Sequence, residues 1–220
     1  MQKTLISIIG STGIGKTKLA IEMAKHFGTE IISCDSRQFF KEMKIGTATP
    51  TDEELAQAKH HFIGHLSVQD YYSIGQYEED ALEKIEEIFE KNDFAVLVGG
   101  SMMYEKAVVE GLNDLPEANA ENQKNLQRIL DEEGLEKLQD ILKNLDEEYY
   151  NVVHKENPRR LLRAIDVIWQ TGRKYSEIIA EPKHKRDFKV VRIGITAPRE
   201  IMYERINLRV DKMLEKGLID

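Results

Sequence analysis

The stretch Gly10-Ser-Thr-Gly-Ile-Gly-Lys16-Thr17 decides the fold, because it matches the phosphate-loop pattern G-x-x-x-x-G-K-[ST]. It follows an apolar, β-rich run over 4–9 and precedes a segment over 16–27 whose apolar residues recur at helical spacing. Glycines in such a loop let backbone N–H groups surround a phosphate, and the helix N-terminus adds a partial positive charge. The sequence therefore predicts a strand, an anion-binding loop and a helix.

This loop predicts a polyphosphate site and leaves the transferred group open. Lys16 is placed to reach phosphate oxygens, and the Thr17 hydroxyl is placed to ligate Mg²⁺, which is the predicted cofactor. A match arises by chance in roughly 1% of chains of this length, and the strand–helix context lowers that figure. The residues predicted to hold the anion are Gly10, Thr12, Gly13, Ile14, Gly15, Lys16 and Thr17.

Beyond the loop, strand and helix signals alternate, which is typical of α/β proteins with a parallel sheet. Apolar runs over 30–34, 94–98 and 189–196 predict three more strands, and 198–216 predicts a long final helix. We therefore predict an α/β fold class: a P-loop NTPase-like parallel sheet with flanking helices and an inserted helical subdomain.

The inserted subdomain is predicted from the segment between the third and fourth strands, which has helical periodicity and no strand signal. Loops of that length are uncommon in compact domains, so the segment should fold as a helical unit. The predicted boundaries are a catalytic core over 1–115 and 183–220, and an insertion over 116–182.

Composition excludes several classes of protein. The 220 residues carry 31 basic and 39 acidic side chains, a net charge of −8, which argues against a non-specific nucleic-acid coat protein. The lone Cys34 excludes an intrachain disulfide and a zinc site with several thiolates, and it fits a reducing cytoplasm. No apolar run is long enough to span a membrane or to form a signal peptide. We expect a cytoplasmic protein without a membrane partner.

Charge is unevenly distributed along the chain. Residues 114–148 hold 4 bases and 11 acids, a net charge of −7, whereas residues 155–192 hold 11 bases and 5 acids, a net charge of +6. Two interpretations stay open: solvated helix faces that differ in sign, or a local site for a polyanion.

Two polar residues follow predicted strands at the edge where the phosphate loop also lies. Asp35 follows the second strand, and Ser101 follows the Gly99-Gly100 pair that closes the third. Ligands of parallel sheets bind at the carboxyl ends of the strands, so both side chains should face the phosphate-loop crevice. Position alone leaves Asp35 as either a magnesium ligand or a general base.

A basic helix is predicted from Asn157, an N-cap, and Pro158 onward. At 100° per residue, one face is apolar and consists of Leu161, Leu162, Ile165, Ile168 and Trp169. The opposite face carries Arg159, Arg160 and Arg163, and such clusters suit phosphate groups. The alternative is a solvated face partly neutralised by Asp166.

Two residue pairs are open to more than one interpretation. Arg205 and Arg209 lie one turn apart on the final helix, where they could pair with an acid or contact phosphate as in the lid helices of small-molecule kinases. His60 and His61 are interpreted as adjacent helical residues, which rarely share one metal ion, and therefore as structural or substrate-positioning groups.

Several short motifs stand together in the order of one known family. They are 10–17, Asp35-Ser-Arg-Gln38, Ile45-Gly-Thr-Ala48, His60-His61, Val98-Gly-Gly-Ser101, Asn157-Pro-Arg-Arg160 with Arg163-Ala164, and Arg209-Val-Asp-Lys-Met213 with Gly217-Leu218. Over essentially its whole length the chain resembles bacterial tRNA dimethylallyltransferases. The resemblance implies transfer of the dimethylallyl group from dimethylallyl diphosphate to N6 of the adenine 3′ of the anticodon.

The resemblance also implies roles for individual residues. Asp35 matches the general base, Ser101 stands at a diphosphate-binding position that is usually threonine, and Arg209 matches a diphosphate-binding arginine; these are the predicted catalytic residues. The helical insertion is implied to hold the anticodon stem-loop, and a monomer is expected. The residues implied to contact tRNA are Asp35, Ser36, Arg37, Gln38, Ser101, Gln123, Arg159, Arg160 and Arg163.

The chain departs from the family pattern at several positions. Ser101-Met102-Met103-Tyr104 replaces a run that is usually Thr-Gly-Leu-Tyr, Thr49 stands where lysine is common, and Gln123 stands where an arginine usually contacts tRNA. Family members normally continue for several tens of residues past Gly217-Leu218, so either a cut chain or a short enzyme is expected.

Three alternatives to tRNA prenylation remain at this stage. One is a P-loop phosphotransferase that acts on a nucleoside or a small hydroxyl compound. The second is an adenine-nucleotide prenyltransferase, which the Asp35-to-Gln38 run and the basic helix disfavour. The third is an RNA-binding module without catalysis, suggested by the residues that follow Ser101.

Overall fold

The structure is a computed structural model that describes residues 2–219, and its centre is a parallel five-stranded sheet in the order β3-β2-β4-β1-β5. The crossover from β1 to β2 passes over β4, so the carboxyl ends of these three strands meet at one edge of the sheet. The predicted fold class is confirmed. The strands are β1 (Thr4–Gly10), β2 (Ile31–Ser33), β3 (His60–His61), β4 (Phe94–Val98) and β5 (Lys189–Ile195).

Eleven α-helices and one short 3₁₀ helix, Lys41–Met43, lie within the described residues. Gly28 ends the first helix in the left-handed region, where glycine is favoured. The helices are α1 (Lys16–Phe27), α2 (Lys44–Thr47), α3 (Asp52–Leu55), α4 (Ile74–Lys91), α5 (Met102–Glu110), α6 (Ala120–Glu133), α7 (Leu135–Leu145), α8 (Glu147–Val152), α9 (Pro158–Thr171), α10 (Tyr175–Ala180) and α11 (Arg199–Glu215).

The chain forms two compact units. The first, here called the sheet unit, contains the residues up to Leu112 and those from His184 onward, and the second, the helical unit, is Asn113–Lys183. The sheet unit contains β1–β5, α1–α5 and α11, and the helical unit contains α6–α10. The domain boundaries at 116 and 182, and the tRNA-binding role of the insertion, stay predictions.

Both faces of the sheet are covered by apolar side chains. One face packs Leu5 and Leu97 against Ile85 of α4, and the other packs Ile8 against Ile21 of α1. The three central strands β1, β2 and β4 therefore read as largely apolar runs, as expected where a parallel sheet is buried on both sides, whereas the edge strand β5 is partly exposed. This core fixes the strand ends from which the polar loops emerge.

The helical unit has its own core, built around α9. Leu161, Leu162, Ile165 and Ile168 pack against Leu138 and Leu142 of α7, as the periodicity of α9 predicted. Trp169, the fifth residue predicted on this face, lies near the end of the helix and is 41% exposed.

Two further findings concern secondary structure. His60 and His61 form β3, a two-residue strand beside β2, so the prediction that they are helical was wrong. Within residues 2–219, no helix has both the length and the apolar character needed to cross a membrane.

Candidate functional site

The phosphate loop connects β1 to α1 in the conformation that its glycines predicted. Gly15 is the N-cap of α1 with φ +104, which favours glycine, and no side chain caps this helix end. The first turn of α1 carries no acidic residue. The N–H groups of this turn are therefore available to an anion, and the helix dipole adds to the attraction.

A cleft of about 250 Å³ opens above the loop at the carboxyl edge of the sheet. Of the residues predicted to hold the anion, five line the cleft, whereas Gly10 and Ile14 support the loop from below. The cleft is lined by Thr12, Gly13, Gly15, Lys16, Thr17, Lys18, Ser33, Asp35, Gln38, Ala48, Pro50, Glu54, His60, Ile63, Val98, Gly99, Gly100 and Arg209.

Lys16 is held over the loop by backbone carbonyls. Its Nζ donates to the oxygens of Gly10 and Ser11 at 3.0 and 2.9 Å. Burial lowers the pKa of Lys16, nearby Asp35 opposes that change, and the charge of Arg209 adds to it. An anionic ligand would offset both unfavourable effects, so Lys16 is a cation suited to a diphosphate.

Asp35 enters the cleft from the end of β2. The Arg37 backbone N–H donates to Asp35 Oδ1 at 3.2 Å, and the Asp35 N–H donates to Ser33 Oγ at 3.3 Å. The bond from Arg37 orients the carboxylate, the bond to Ser33 fixes the backbone of Asp35, and Oδ2 faces Gly100 of the neighbouring strand end. The predicted juxtaposition of Asp35 with the phosphate loop is present in one cleft.

Gly99 is required for that position because the two strand ends touch there. A Cβ on Gly99 would lie 2.5 Å from the carbonyl carbon of Cys34 and 2.6 Å from the backbone nitrogen of Asp35. Real Cβ atoms essentially never approach backbone so closely, so any other residue would displace Asp35.

Replacing Gly99 with alanine should therefore lower both stability and turnover. Overpacking of this kind costs about 1–3 kcal/mol of unfolding free energy, and the displaced carboxylate lowers kcat at saturating substrates. The control is Gly194→Ala in β5, where a Cβ meets nothing within 4 Å. Thermal melts and turnover of both variants test this, and a Gly99→Ala enzyme equal to Gly194→Ala in both would contradict it.

Ser101 connects the end of β4 to the segment after β2. Its Oγ accepts the Ser36 N–H at 3.1 Å and lies 2.9 Å from the Ser36 hydroxyl. Ser101 is also the N-cap of α5, although its side chain does not cap that helix. The cleft lining includes Gly99 and Gly100 but neither Ser101 nor Ser36, and the diphosphate-binding and catalytic role of Ser101 stays a prediction.

Arg209 joins α11 to the phosphate loop. Its Nη1 donates to Thr12 Oγ1 at 2.6 Å and its Nη2 donates to the Thr47 carbonyl at 2.9 Å. Gln38 Nε2 donates to the same Thr47 carbonyl and to that of Ala48, both at 3.3 Å. Sequence reasoning listed the 45–48 motif without a role, and the structure shows that it connects two predicted site residues.

Arg205 is one turn from Arg209 and supports the same loop. Its Nη1 donates to the Ile14 carbonyl at 3.1 Å, so both arginines of this face of α11 contact the phosphate loop. Neither of them forms an ion pair within 4.0 Å among the described residues, which was the alternative for this pair.

His60 lines the cleft as well, which sequence reasoning had left undecided between two roles. Its Nδ1 lies 2.8 Å from the Ala58 carbonyl, and its buried Nε2 has no partner among the described residues. Burial lowers the pKa of His60, which favours the neutral form of the ring. Cys34 precedes Asp35 but is fully buried, and burial raises the pKa of its thiol, which disqualifies it as a nucleophile.

The other predicted tRNA contacts lie in the helical unit. Arg159 and Arg160 are exposed at the start of α9. Arg163 is held more firmly: its Nη1 donates to Asp166 at 3.4 Å and its Nη2 to the Pro116 carbonyl at 2.5 Å. Gln123 Nε2 also donates to Asp166, at 3.4 Å. Asp166 therefore joins two of the predicted contacts.

The fold and cleft define a class of protein. A parallel α/β sheet whose phosphate loop lies between its first strand and first helix, with a lysine on that loop and an arginine of α11 that contacts it, forms the binding site of a di- or triphosphate. The chain belongs to the IPP transferase family, whose family model matches residues 38–220.

Curated relatives and solved structures agree with this assignment. The chain is 52% identical over 220 residues to a protein named tRNA dimethylallyltransferase from Christiangramia forsetii, covering 100% of this chain and 73% of the relative. It is 44% identical over 217 residues to tRNA dimethylallyltransferase 1 of Bacteroides thetaiotaomicron, covering 99% of this chain and 70% of the relative.

Solved structures, among them the following two, also resemble the chain. One is the full-length tRNA isopentenylpyrophosphate transferase of Bacillus halodurans, with a TM-score of 0.64 and 34% identity, covering 100% of this chain and 68% of that chain. The other is a eukaryotic dimethylallyltransferase acting on tRNA, with a TM-score of 0.84 and 27% identity, covering 98% of this chain and 54% of that chain.

Proposed function

We propose that this chain transfers the dimethylallyl group of dimethylallyl diphosphate to N6 of the adenine 3′ of the anticodon in tRNA, and releases diphosphate. The observation that carries the proposal is one cleft lined by the Asp35 carboxylate, by Lys16 of the phosphate loop and by Arg209 of α11. Membership in the IPP transferase family and relatives named tRNA dimethylallyltransferase favour this reaction over phosphoryl transfer.

Binding the leaving group is the task of the phosphate loop. The free N–H groups at the start of α1, the Lys16 ammonium and the Arg209 guanidinium converge on the space above the loop. As the bond between C1 and the diphosphate oxygen breaks, negative charge accumulates on that oxygen. Fixed donors aimed at this charge lower the barrier because they do not have to reorganise.

Removing a proton from the nucleophile is the proposed task of Asp35. The adenine N6 attacks C1 of the allylic donor, so the C1–N6 bond forms while the C1–O bond breaks and its electron pair leaves with the diphosphate. The alkylated N6 is then positively charged, and the Asp35 carboxylate accepts one of its protons. The bond from the Arg37 N–H holds this carboxylate, and the bond from the Asp35 N–H to Ser33 Oγ holds its backbone.

The residues in the cleft fit Mg²⁺, the predicted cofactor. Thr17 and Asp35 both line the cleft, and the described residues contain no group of three or more His, Cys, Asp or Glu that could hold a metal. Mg²⁺ usually takes one or two protein ligands and completes its shell with substrate phosphates and water. When bound, it would neutralise charge on the diphosphate, with Thr17 as the proposed protein ligand.

Recognition of tRNA is proposed for two surfaces. The first surface is Ser36, Arg37 and Gln38, which follow the proposed general base Asp35 in the sequence. The side chain of Arg37 is exposed. The segment 116–182, with Gln123 and the arginines of α9, is proposed to contact the anticodon stem-loop. A monomeric state and the cytoplasm as the location of the enzyme stay predictions.

The exposed arginines of α9 are predicted to contribute to tRNA binding. Replacing Arg159 and Arg160 together with glutamine should raise the KM for tRNA and leave the KM for dimethylallyl diphosphate unchanged. Each lost phosphate contact should flatten the slope of log Kd against log salt by up to about 0.9 for duplex geometry. Filter-binding titrations at several salt concentrations measure this.

The matched control is Lys137→Gln with Lys143→Gln, which removes the same charge from α7 of the same unit. If both double variants lose tRNA affinity equally, only overall charge matters and the contact role of α9 is wrong. Unchanged tRNA affinity and salt slope in the Arg159 and Arg160 variant would also remove that role.

The function itself is tested with Mg²⁺, labelled dimethylallyl diphosphate and unmodified tRNA. Label in tRNA supports the proposal, and mass analysis of the digested nucleosides should place it on adenine N6. Release of γ-phosphate from ATP without prenylation would favour the phosphotransferase. Label in free adenine nucleotide would favour a nucleotide prenyltransferase, and tRNA binding without any transfer would favour a non-catalytic module.

A further inference from the structure

A fully buried carboxylate lies in the middle of α9, on the helix that carries the exposed arginines. The side chain of Asp166 has 0% exposure. It accepts hydrogen bonds from five groups, which together we call the Asp166 cluster. The donors are the Asn119 backbone N–H at 3.3 Å, Asn122 Nδ2 at 3.0 Å, Gln123 Nε2 at 3.4 Å, Arg163 Nη1 at 3.4 Å and Gln170 Nε2 at 3.0 Å.

Hydrophobic packing does not account for a charge at this position. Its neighbours on α9, such as Ile165 and Val167, are buried apolar residues, and an apolar side chain would avoid the cost of removing a carboxylate from water. One guanidinium and several amide donors balance the charge, and each of them must be held at hydrogen-bond distance from the carboxylate. A buried polar network that is fully paired specifies one arrangement of its members.

The arrangement that Asp166 specifies connects α9 to the start of α6 and to the chain before it. Arg163 reaches the Pro116 carbonyl, and Gln170 reaches the Glu117 carbonyl at 2.9 Å as well as Asp166. Two of the five donors, Gln123 and Arg163, are residues proposed to contact tRNA. The cluster thus positions side chains from two helices side by side.

The bonds that fix the position of Arg163 leave some of its N–H donors available to a ligand. A guanidinium has five N–H donors, and the bonds to Asp166 and Pro116 occupy two of them. Its side chain is 33% exposed. A side chain that is already ordered loses less conformational entropy on binding than a free one.

We propose that Asp166 is a positioning residue for tRNA: it fixes Gln123 and Arg163 as one rigid contact for the phosphate backbone of an RNA stem. This inference rests on the proposed function, because it assigns a role within the tRNA-binding surface. Asp166 does not itself contact the RNA. Asn122 and Gln170 are assigned the same supporting role.

The test is Asp166→Asn, which keeps the shape of the side chain but removes its charge and turns one acceptor into a donor. We expect the Kd for tRNA to rise about tenfold, the size of effect expected when one well-placed arginine contact is lost. The KM for dimethylallyl diphosphate should be unchanged. Asn122→Ala, a milder variant that removes one supporting donor, should raise the Kd for tRNA in the same direction if Asp166→Asn does not fold.

The matched control is Asp146→Asn in the same unit. Asp146 is also fully buried, and it accepts bonds from the Tyr149 N–H at 3.0 Å and from the Ser176 N–H and hydroxyl at 2.7 and 2.8 Å, none of them a proposed tRNA contact. It should lower the melting temperature without changing the Kd for tRNA at a temperature where it is folded.

Each outcome decides between the roles. If Asp166→Asn and Asn122→Ala lose only thermal stability, as Asp146→Asn does, the cluster is structural and the inference is wrong. Tighter tRNA binding by Asp166→Asn would show that the carboxylate neutralises Arg163 instead of presenting it, which also overturns the inference. A parent protein that neither binds nor prenylates tRNA would contradict the proposed function instead.

Discussion

An Asp35→Asn enzyme is expected to turn over about 10²–10⁴-fold more slowly than the parent at saturating substrates, with the Kd for dimethylallyl diphosphate nearly unchanged. The amide has almost the shape of the carboxylate, and its oxygen still accepts the Arg37 N–H that orients it. It cannot take up the proton that leaves N6. Single-turnover assays with labelled donor and excess enzyme isolate this step from product release.

The same variant separates the two roles that position alone left open for Asp35. If Asp35 is the base, raising the Mg²⁺ concentration will not restore kcat. If it is mainly a metal ligand, the defect will shrink as Mg²⁺ rises, because the weakened site fills again. A kcat close to that of the parent at ordinary Mg²⁺ would show that Asp35 has neither role.

Glu54→Gln is the control for loss of a carboxylate from the cleft. Glu54 lines the cleft, but its Oε2 accepts the Thr51 N–H at 2.9 Å at the start of α3. We expect this variant to lose some stability through that cap and to keep kcat within a few-fold of the parent. An equal loss of kcat in both variants would indicate that cleft charge, and not a specific base, controls the rate.

The parts of the fold that could be predicted from sequence are those with local signals. The phosphate loop, its strand and α1 lie within one short stretch, and glycine positions, β-rich residues and helical spacing all agree there. The two-residue strand β3 could not be found, because strand periodicity needs a longer run than His60 and His61 provide.

The geometry of the cleft depends on contacts between residues far apart in sequence. Asp35 and Gly99 were both singled out, but nothing in the sequence states that a Cβ at 99 would collide with the backbone at 34 and 35. Similarly, the Ser36–Ser101 contact and the Thr47 carbonyl shared by Arg209 and Gln38 arise only once β1, β2 and β4 are side by side.

The helical unit shows the same limit in a different form. The spacing of α9 placed the arginines opposite the apolar face, and Asp166 was seen as a charge one turn from Arg163. Sequence spacing within one helix could not reveal the donors from Asn119, Asn122 and Gln123, because they belong to another element. From the sequence alone, Asp166 is therefore interpreted as a charge on a solvated helix face.

Lys16→Ala is expected to weaken the binding of dimethylallyl diphosphate and to lower kcat by about 10²–10³-fold, the usual effect of removing one donor from developing negative charge. Lys16 contacts the diphosphate in the ground state and more strongly in the transition state, because negative charge increases on the leaving oxygen as the C1–O bond breaks. Isothermal titration with inorganic diphosphate and Mg²⁺ measures the binding part, and single-turnover assays measure the chemical part. The KM for tRNA should change little.

The pH dependence of diphosphate binding by the parent enzyme is an independent test of the role of the Lys16 charge. Because burial lowers the pKa of this ammonium, its charge is lost at a lower pH than that of an ordinary lysine, and diphosphate affinity should fall on the alkaline side from that point. The Lys16→Ala enzyme should lack that alkaline limb. Lys25→Ala, which removes an exposed lysine from the same helix, should keep both the limb and the parent affinity. If Lys16→Ala binds diphosphate as the parent does, or if the limb persists without Lys16, the phosphate loop does not hold the donor in the way proposed.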